Sequence, residues 1–159
     1  MVGPQIGTAA RQETVAARAL DAMIAAEPLG KGARVTLLRG QVALEHSYPE
    51  FCVDITRERC RKRDPRFVYL MPPWETVMAL KRGALDEEHF ALRYYQQLAD
   101  PDSLSAFNAL HLVGRHALGV VRLLCFCPDG RFCHTHLCIA YATSAFPDRF
   151  CTPYNYMTY

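Results

Sequence analysis

The stretch Val120–Ala142, VVRLLCFCPDGRFCHTHLCIAYA, decides how this chain of 159 residues reads. Val120 to Cys125 is a nearly unbroken apolar run, the pattern of a central strand buried on both faces of a parallel sheet. Pro128-Asp129-Gly130 is turn chemistry, and from about Phe132 to Ser144 the spacing predicts a helix. A strand that ends in polar, reactive side chains just before a helix is where open α/β folds place their ligands. Four of the seven cysteines fall here (Cys125, Cys127, Cys133 and Cys138), with two of the six histidines, His134 and His136.

Upstream, three more short apolar segments read as strands: Arg34 to Leu38, Phe51 to Ile55 and Phe67 to Leu70. Between them lie a loop over 39–50 and the basic segment Thr56 to Arg66. Met71-Pro72-Pro73 must be extended, because proline disfavours helix in the residue before it. A helix follows from Trp74 or Glu75 to Gly83. Asp86 reads as the cap of the next, which puts Phe90, Tyr94 and Leu98 on one face and runs to about Ala99. A third helix starts at Ser103 or Ser105 and reaches about Leu118. Strands alternating with helices predict one α/β domain, three-layered and Rossmann-like, with a mainly parallel sheet. It spans 33–144, between an N-terminal helical arm (1–32) and an aromatic-rich tail (145–159). In the arm, Ala9 to Glu27 has the apolar spacing of an amphipathic helix, which suits packing on the sheet or binding a protein partner.

Composition narrows the function classes. With 50% hydrophobic and 21% charged residues, the chain has the balance of an ordinary globular domain. A net charge of +2 does not by itself argue for nucleic acid. No run of eighteen apolar residues predicts a membrane span, and MVGPQIGTAARQE lacks the basic start and apolar core of a secretory leader. An odd number of cysteines without such a leader reads as reduced thiols of a cytoplasmic protein.

Charge is concentrated in one place. Thr56 to Arg66 carries Arg57, Arg59, Arg61, Lys62, Arg63 and Arg66 against Glu58 and Asp64. Like charges this dense repel unless something neutralises them, so the segment is a candidate phosphate site for a nucleotide or nucleic acid; a solvated loop is the simpler alternative. Asp54, at the end of a strand, is either a catalytic group or the cap of the following turn.

Three chemistries fit the cysteine loop. In the first, Cys133 or Cys127 is a nucleophilic or redox thiolate, because a helix N-terminus and a nearby arginine favour the anion, and His134 is its general base. Cys125 to Arg131 also has the Cys-x5-Arg spacing of loops that cradle oxyanions, which makes Arg131 a candidate anion ligand. In the second, a metal draws on Cys125, Cys127, Cys133, His134 and His136. Cys-x-Cys-x5-Cys-His is not a common zinc spacing, so no metal is assigned. In the third the cysteines are packing, as expected first of Cys125 at the strand end and Cys138 within the helix.

Taken together, LLCFCPDGRFCHTH with Cys125, Cys127, Cys133 and His134, Leu70-Met71-Pro72-Pro73-Trp74-Glu75, and Asp86 to Tyr94 form a set of spaced motifs. The set resembles the domain of unknown function 488 family of bacterial, archaeal and phage proteins, over roughly residues 33 to 143. The family's arginine after Cys-His is Thr135 here, so any anion it would hold is either not bound by this chain or passes to His136 or Arg131. The resemblance implies a fold more than a role. The resulting expectation is a nucleotide- or nucleic-acid-linked protein with a cysteine/histidine site. The alternatives are a non-catalytic accessory module of a phage or host, bound to a protein through the arm and tail, and a metal-binding protein. The sequence points to no particular cofactor.

Overall fold

Among the described residues, four strands run parallel in the order β2-β3-β1-β4. They are β1 (Val35–Gln41), β2 (Phe51–Asp54), β3 (Val120–Cys125) and β4 (Phe150–Cys151). The molecule is a computed structural model that describes residues 33–42, 51–57, 64–117, 119–128 and 130–153. The expected arm over 1–32, most of the basic segment (Arg59, Arg61, Lys62 and Arg63) and the end of the tail lie outside these residues.

Parallel neighbours need crossovers, and helices supply them. Between β2 and β3 lie a 3-10 turn (Val68–Leu70) and the helices α1 (Trp74–Lys81), α2 (Glu87–Leu98) and α3 (Pro101–His116). Between β3 and β4 lies α4 (His134–Ala145). The mainly parallel α/β domain is therefore as the alternation predicts. Asp86 caps α2 by accepting from the His89 N–H at 2.8 Å, and Phe90, Tyr94 and Leu98 are its buried residues.

Two local expectations are corrected. Phe67 to Leu70 is not a strand. The chain closes on itself there, with Met71 N–H donating to Val68 O at 3.2 Å. Its carbonyls take side-chain partners rather than a neighbouring strand. Tyr94 Oη donates to Leu70 O, and Ser103 Oγ and Gln97 Nε2 donate to Tyr69 O at 2.8 and 3.0 Å. What remains of strand pairing is one parallel bridge between Asp54 and Arg66. The second correction is the start of α3, at Pro101 after an Asp100 cap rather than at Ser103 or Ser105. Proline fits the first helical position because it has no N–H to leave unpaired and its φ is preset.

Part of the tail closes the sheet. Phe150, 1% exposed, pairs with Val35, and Val35 N–H donates to Arg149 O at 2.7 Å. The core is made of Leu37, Val53, Leu123, Phe107, Leu110, Ile139 and their neighbours.

The approach of α3 to the sheet depends on Gly114. A Cβ there would stand 2.5 Å from Val35 Cγ1 and 2.9 Å from Val121 Cγ2, on adjacent strands that cannot retreat. Gly114→Val is expected to cost about 1–3 kcal/mol by overpacking, since the small gain in helix propensity over glycine does not offset it. A urea midpoint equal to that of the parent chain would refute this contact.

Candidate functional site

The register gathers the C-terminal ends of three strands at one edge. Gln41 lies opposite Cys125, and Asp54 opposite Leu124. From this edge β3 runs into the cysteine loop, where Gly130, at φ 73°, takes the left-handed turn that glycine allows without strain. The loop is held down from β1: Arg39 Nη2 donates to Cys127 O at 2.5 Å and to Pro128 O at 3.0 Å. The sequence places Arg39 in the loop over 39–50, with no sign of this contact. A clamp that crosses 88 residues leaves no local signal.

Cys133 is the N-cap of α4, with extended backbone (φ −152°). Its Sγ accepts from Thr135 N–H at 3.4 Å and lies 3.0 Å from Thr135 Oγ1. A cap position turns the side chain onto the unpaired N–H groups of the first turn, where the helix dipole favours an anion. The Cys125 sulfur stands 2.9 Å from Cys133 Sγ and itself accepts from Cys127 N–H at 3.1 Å. The sulfurs of Cys125, Cys127 and Cys133 all lie within 4.8 Å of one another, a group that could hold a metal ion; neither His134 nor His136 joins it.

Three thiols this close cannot all ionise, because each anion raises the others. The neighbouring Cys125 and Cys127 thiols, with the His134 imidazole, hold the Cys133 pKa far below the ordinary thiol range against the cost of burial. Cys125 is pushed far up by its bonds to Cys127 and Cys133 and by burial. Cys127 is drawn down by Cys125, but Cys133 and burial outweigh that and leave it raised. Of the three sulfurs, Cys133 is the one whose surroundings favour the anion. Cys138, fully buried in the core, is pushed up to about 12 by burial and stays a thiol.

His134 Nε2 is 2.9 Å from Ile55 O. A carbonyl only accepts, so Nε2 carries the proton and Nδ1 is the ring atom left to exchange one. The edge of one ring meets the face of the other between His134 and Tyr94, centroids 6.2 Å apart, which fixes the imidazole plane. Tyr94 Oη donates to Leu70 O, and burial holds its hydroxyl well above its usual pKa, so it remains a neutral donor.

The remaining candidates are placed differently. Asp54 is fully buried; its Oδ1 accepts from Thr56 N–H at 2.8 Å and Thr56 Oγ1 at 2.5 Å, and Oδ2 lies 3.5 Å from Arg66 Nε. That is a turn cap with a paired charge. Arg66 also donates to Thr56 O and Arg57 O, both at 3.2 Å, and so braces the chain. Arg57 is exposed and its Nε donates to Pro72 O at 2.5 Å. Arg131 is exposed on the loop, and His136 is half-buried on α4. Thr135 is a site residue whose sequence carries no signal beyond its place directly after Cys133-His134.

A parallel α/β domain with a three-cysteine centre at a strand-to-helix turn is the class of protein that the fold and the site define. The chain belongs to the DUF488-N3a family, whose model, described as the Active DUF488-N3 subclade, matches residues 51–141, more than half of the chain. No curated protein and no solved structure matches it. Among the described residues no helix is long and apolar enough to cross a membrane.

Proposed function

We propose that this chain carries out thiolate chemistry on a phosphate-bearing ligand, a nucleotide or a nucleic acid. Cys133 is the nucleophile, His134 Nδ1 holds or takes the proton, and the basic segment beginning at Arg57 attracts the ligand. The observation that carries the reading is the surroundings of Cys133 Sγ: the Thr135 N–H, the Thr135 hydroxyl and the Cys125 thiol all converge on one buried sulfur. Packing alone does not call for three polar partners around a buried cysteine, and a site that activates a nucleophile does. The word active in the family's description agrees with a site that does chemistry. Support for an anionic ligand comes from Arg57, a charged side chain exposed two residues after Ile55, whose carbonyl meets His134.

Anisotropy of a fluorescent single-stranded oligonucleotide and of a nucleoside triphosphate, titrated with the full chain at low and moderate salt, tests the ligand class. Affinity should fall with salt at about 0.7 log units per log unit for each phosphate neutralised. Arg57→Gln should weaken both. Absent or salt-insensitive binding removes the nucleotide and nucleic-acid part of the reading.

The compact sulfur group favours a second reading, a metal centre. Zinc–sulfur bonds of about 2.3 Å at tetrahedral angles set sulfurs about 3.8 Å apart. Cys125 and Cys133 are 2.9 Å apart, so a metal would have to spread them. Elemental analysis of protein purified without chelator separates the readings: stoichiometric zinc or iron that shields all three cysteines would replace the thiolate.

A further inference from the structure

We propose that Cys125 and Cys133 form a redox pair: Cys133 reduces a small hydroperoxide, and Cys125 then closes a disulfide on it. The inference rests on the reading of Cys133 as the nucleophile and adds a second substrate class and a second working residue.

The two sulfurs are 2.9 Å apart, and a disulfide bond is about 2.0 Å long, so closure needs a movement of about 1 Å. Both side chains sit where the chain changes course. Cys125 is the last residue of β3, and Cys133 is the cap of α4. The Cys127 N–H donates to Cys125 Sγ at 3.1 Å and holds the resolving sulfur in place.

Burial selects the oxidant. Cys133 is 2% exposed and Cys125 is fully buried, so the disulfide of another protein cannot be seated against either sulfur. A hydroperoxide needs to bring only its terminal oxygen to the sulfur. The Thr135 hydroxyl, 3.0 Å from Cys133 Sγ, is a donor beside the oxygen that leaves.

The steps balance. The Cys133 sulfur attacks the terminal oxygen of R–O–OH. An S–O bond forms, the O–O bond breaks, and R–O leaves as the alcohol (water, for hydrogen peroxide) with the proton that the thiol gave up to His134. Sulfur is oxidised to a sulfenic acid as the peroxide is reduced. The Cys125 sulfur then attacks the Cys133 sulfur, an S–S bond forms, the S–O bond breaks, and hydroxide departs as water with the proton from Cys125. A small-molecule dithiol, which needs no protein surface seated against the sulfurs, restores both thiols by exchange.

The test uses the full reduced chain, desalted and treated with equimolar hydrogen peroxide. Arg131 lies between the two cysteines, so trypsin leaves their peptides joined only by a disulfide. Stoichiometric appearance of the joined peptide, its persistence in Cys127→Ser, and its release by dithiothreitol are expected. In Cys125→Ser the joined peptide should be lost, with Cys133 advancing to the sulfinic acid. Accumulation of oxygen adducts on Cys133 in the parent chain, or loss of the joined peptide in Cys127→Ser, overturns the pair while leaving Cys133 a nucleophile. A Cys133 untouched by both peroxide and an alkylating reagent overturns the nucleophile and the pair together.

Discussion

Cys133 is expected to react with iodoacetamide at a rate that stays flat from pH 8 down to pH 5. An ordinary thiol with a pKa near 8.5 loses thiolate about tenfold per unit below that value, so its rate falls by roughly a thousandfold over the same window. A pKa lowered far from the ordinary thiol range keeps the sulfur ionised as the pH falls, whereas an ordinary thiol takes up its proton. Burial slows the reagent equally at every pH, and a low-pKa thiolate is intrinsically less nucleophilic. Independence of pH, not speed, is therefore the signature. Cys138, pushed up to about 12, should remain unlabelled. Cys125→Ala should restore part of the slope, because the Cys125 thiol is the largest influence holding Cys133 down. Peptide-resolved mass spectrometry reads all of these positions in one series, and a tenfold fall per unit at Cys133 would refute the thiolate.

The same series separates a shared charge from a metal. A bound divalent cation deprotonates every sulfur that it touches, and all of its ligands are then shielded together. A thiolate supported by two neighbouring thiols instead leaves one reactive position among three. The difference is electrostatic: without a cation, the second ionisation has to overcome the first across a few ångströms in a poorly solvated loop.

What the sequence made legible was local. The apolar run into Cys125, the cap at Asp86 and the stripe Phe90-Tyr94-Leu98 each rest on residues within one turn or one strand of one another, and the structure carries them as expected. The start of α4 near Cys133 was visible because a turn and an apolar spacing meet there. Val68–Leu70 misled because its apolar residues resemble a strand, while the partners of its carbonyls lie tens of residues away in α2 and α3. Arg39 was invisible as a site residue for the same reason: nothing near it in sequence says that it grips the cysteine loop. The start of α3 differs from the expected serine because a proline just after an acidic residue opens a helix as readily as it ends the one before. With two residues, β4 is too short to show any period.

Phe107→Ala is expected to give the largest loss of stability of any single change in the described core, about 3–5 kcal/mol. The ring is fully buried, its centroid 5.7 Å from Tyr141, 5.6 Å from Phe146 and 6.2 Å from Phe150. It thus joins α3, α4 and β4 through one side chain. Removing it leaves a cavity among aromatic rings that cannot collapse without moving a helix. For a domain whose total stability is on the order of 5–15 kcal/mol, this is a large share. The loss should not be felt evenly. Only two residues of β4 pair with β1, and its hold depends on Phe150, so this strand should open first. Cys151, half-buried and 3.5 Å from Thr36 Oγ1, reports that opening. Its alkylation should rise in the variant well below the unfolding midpoint, while the pH profile of Cys133, at the opposite end of the strands, keeps its shape. A midpoint shift worth less than about 1 kcal/mol would mean that the aromatic cluster relaxes around the gap. Equal gains in labelling at Cys151 and Cys133 would mean that the sheet opens as one unit, in which case the short last strand is as firmly held as the centre.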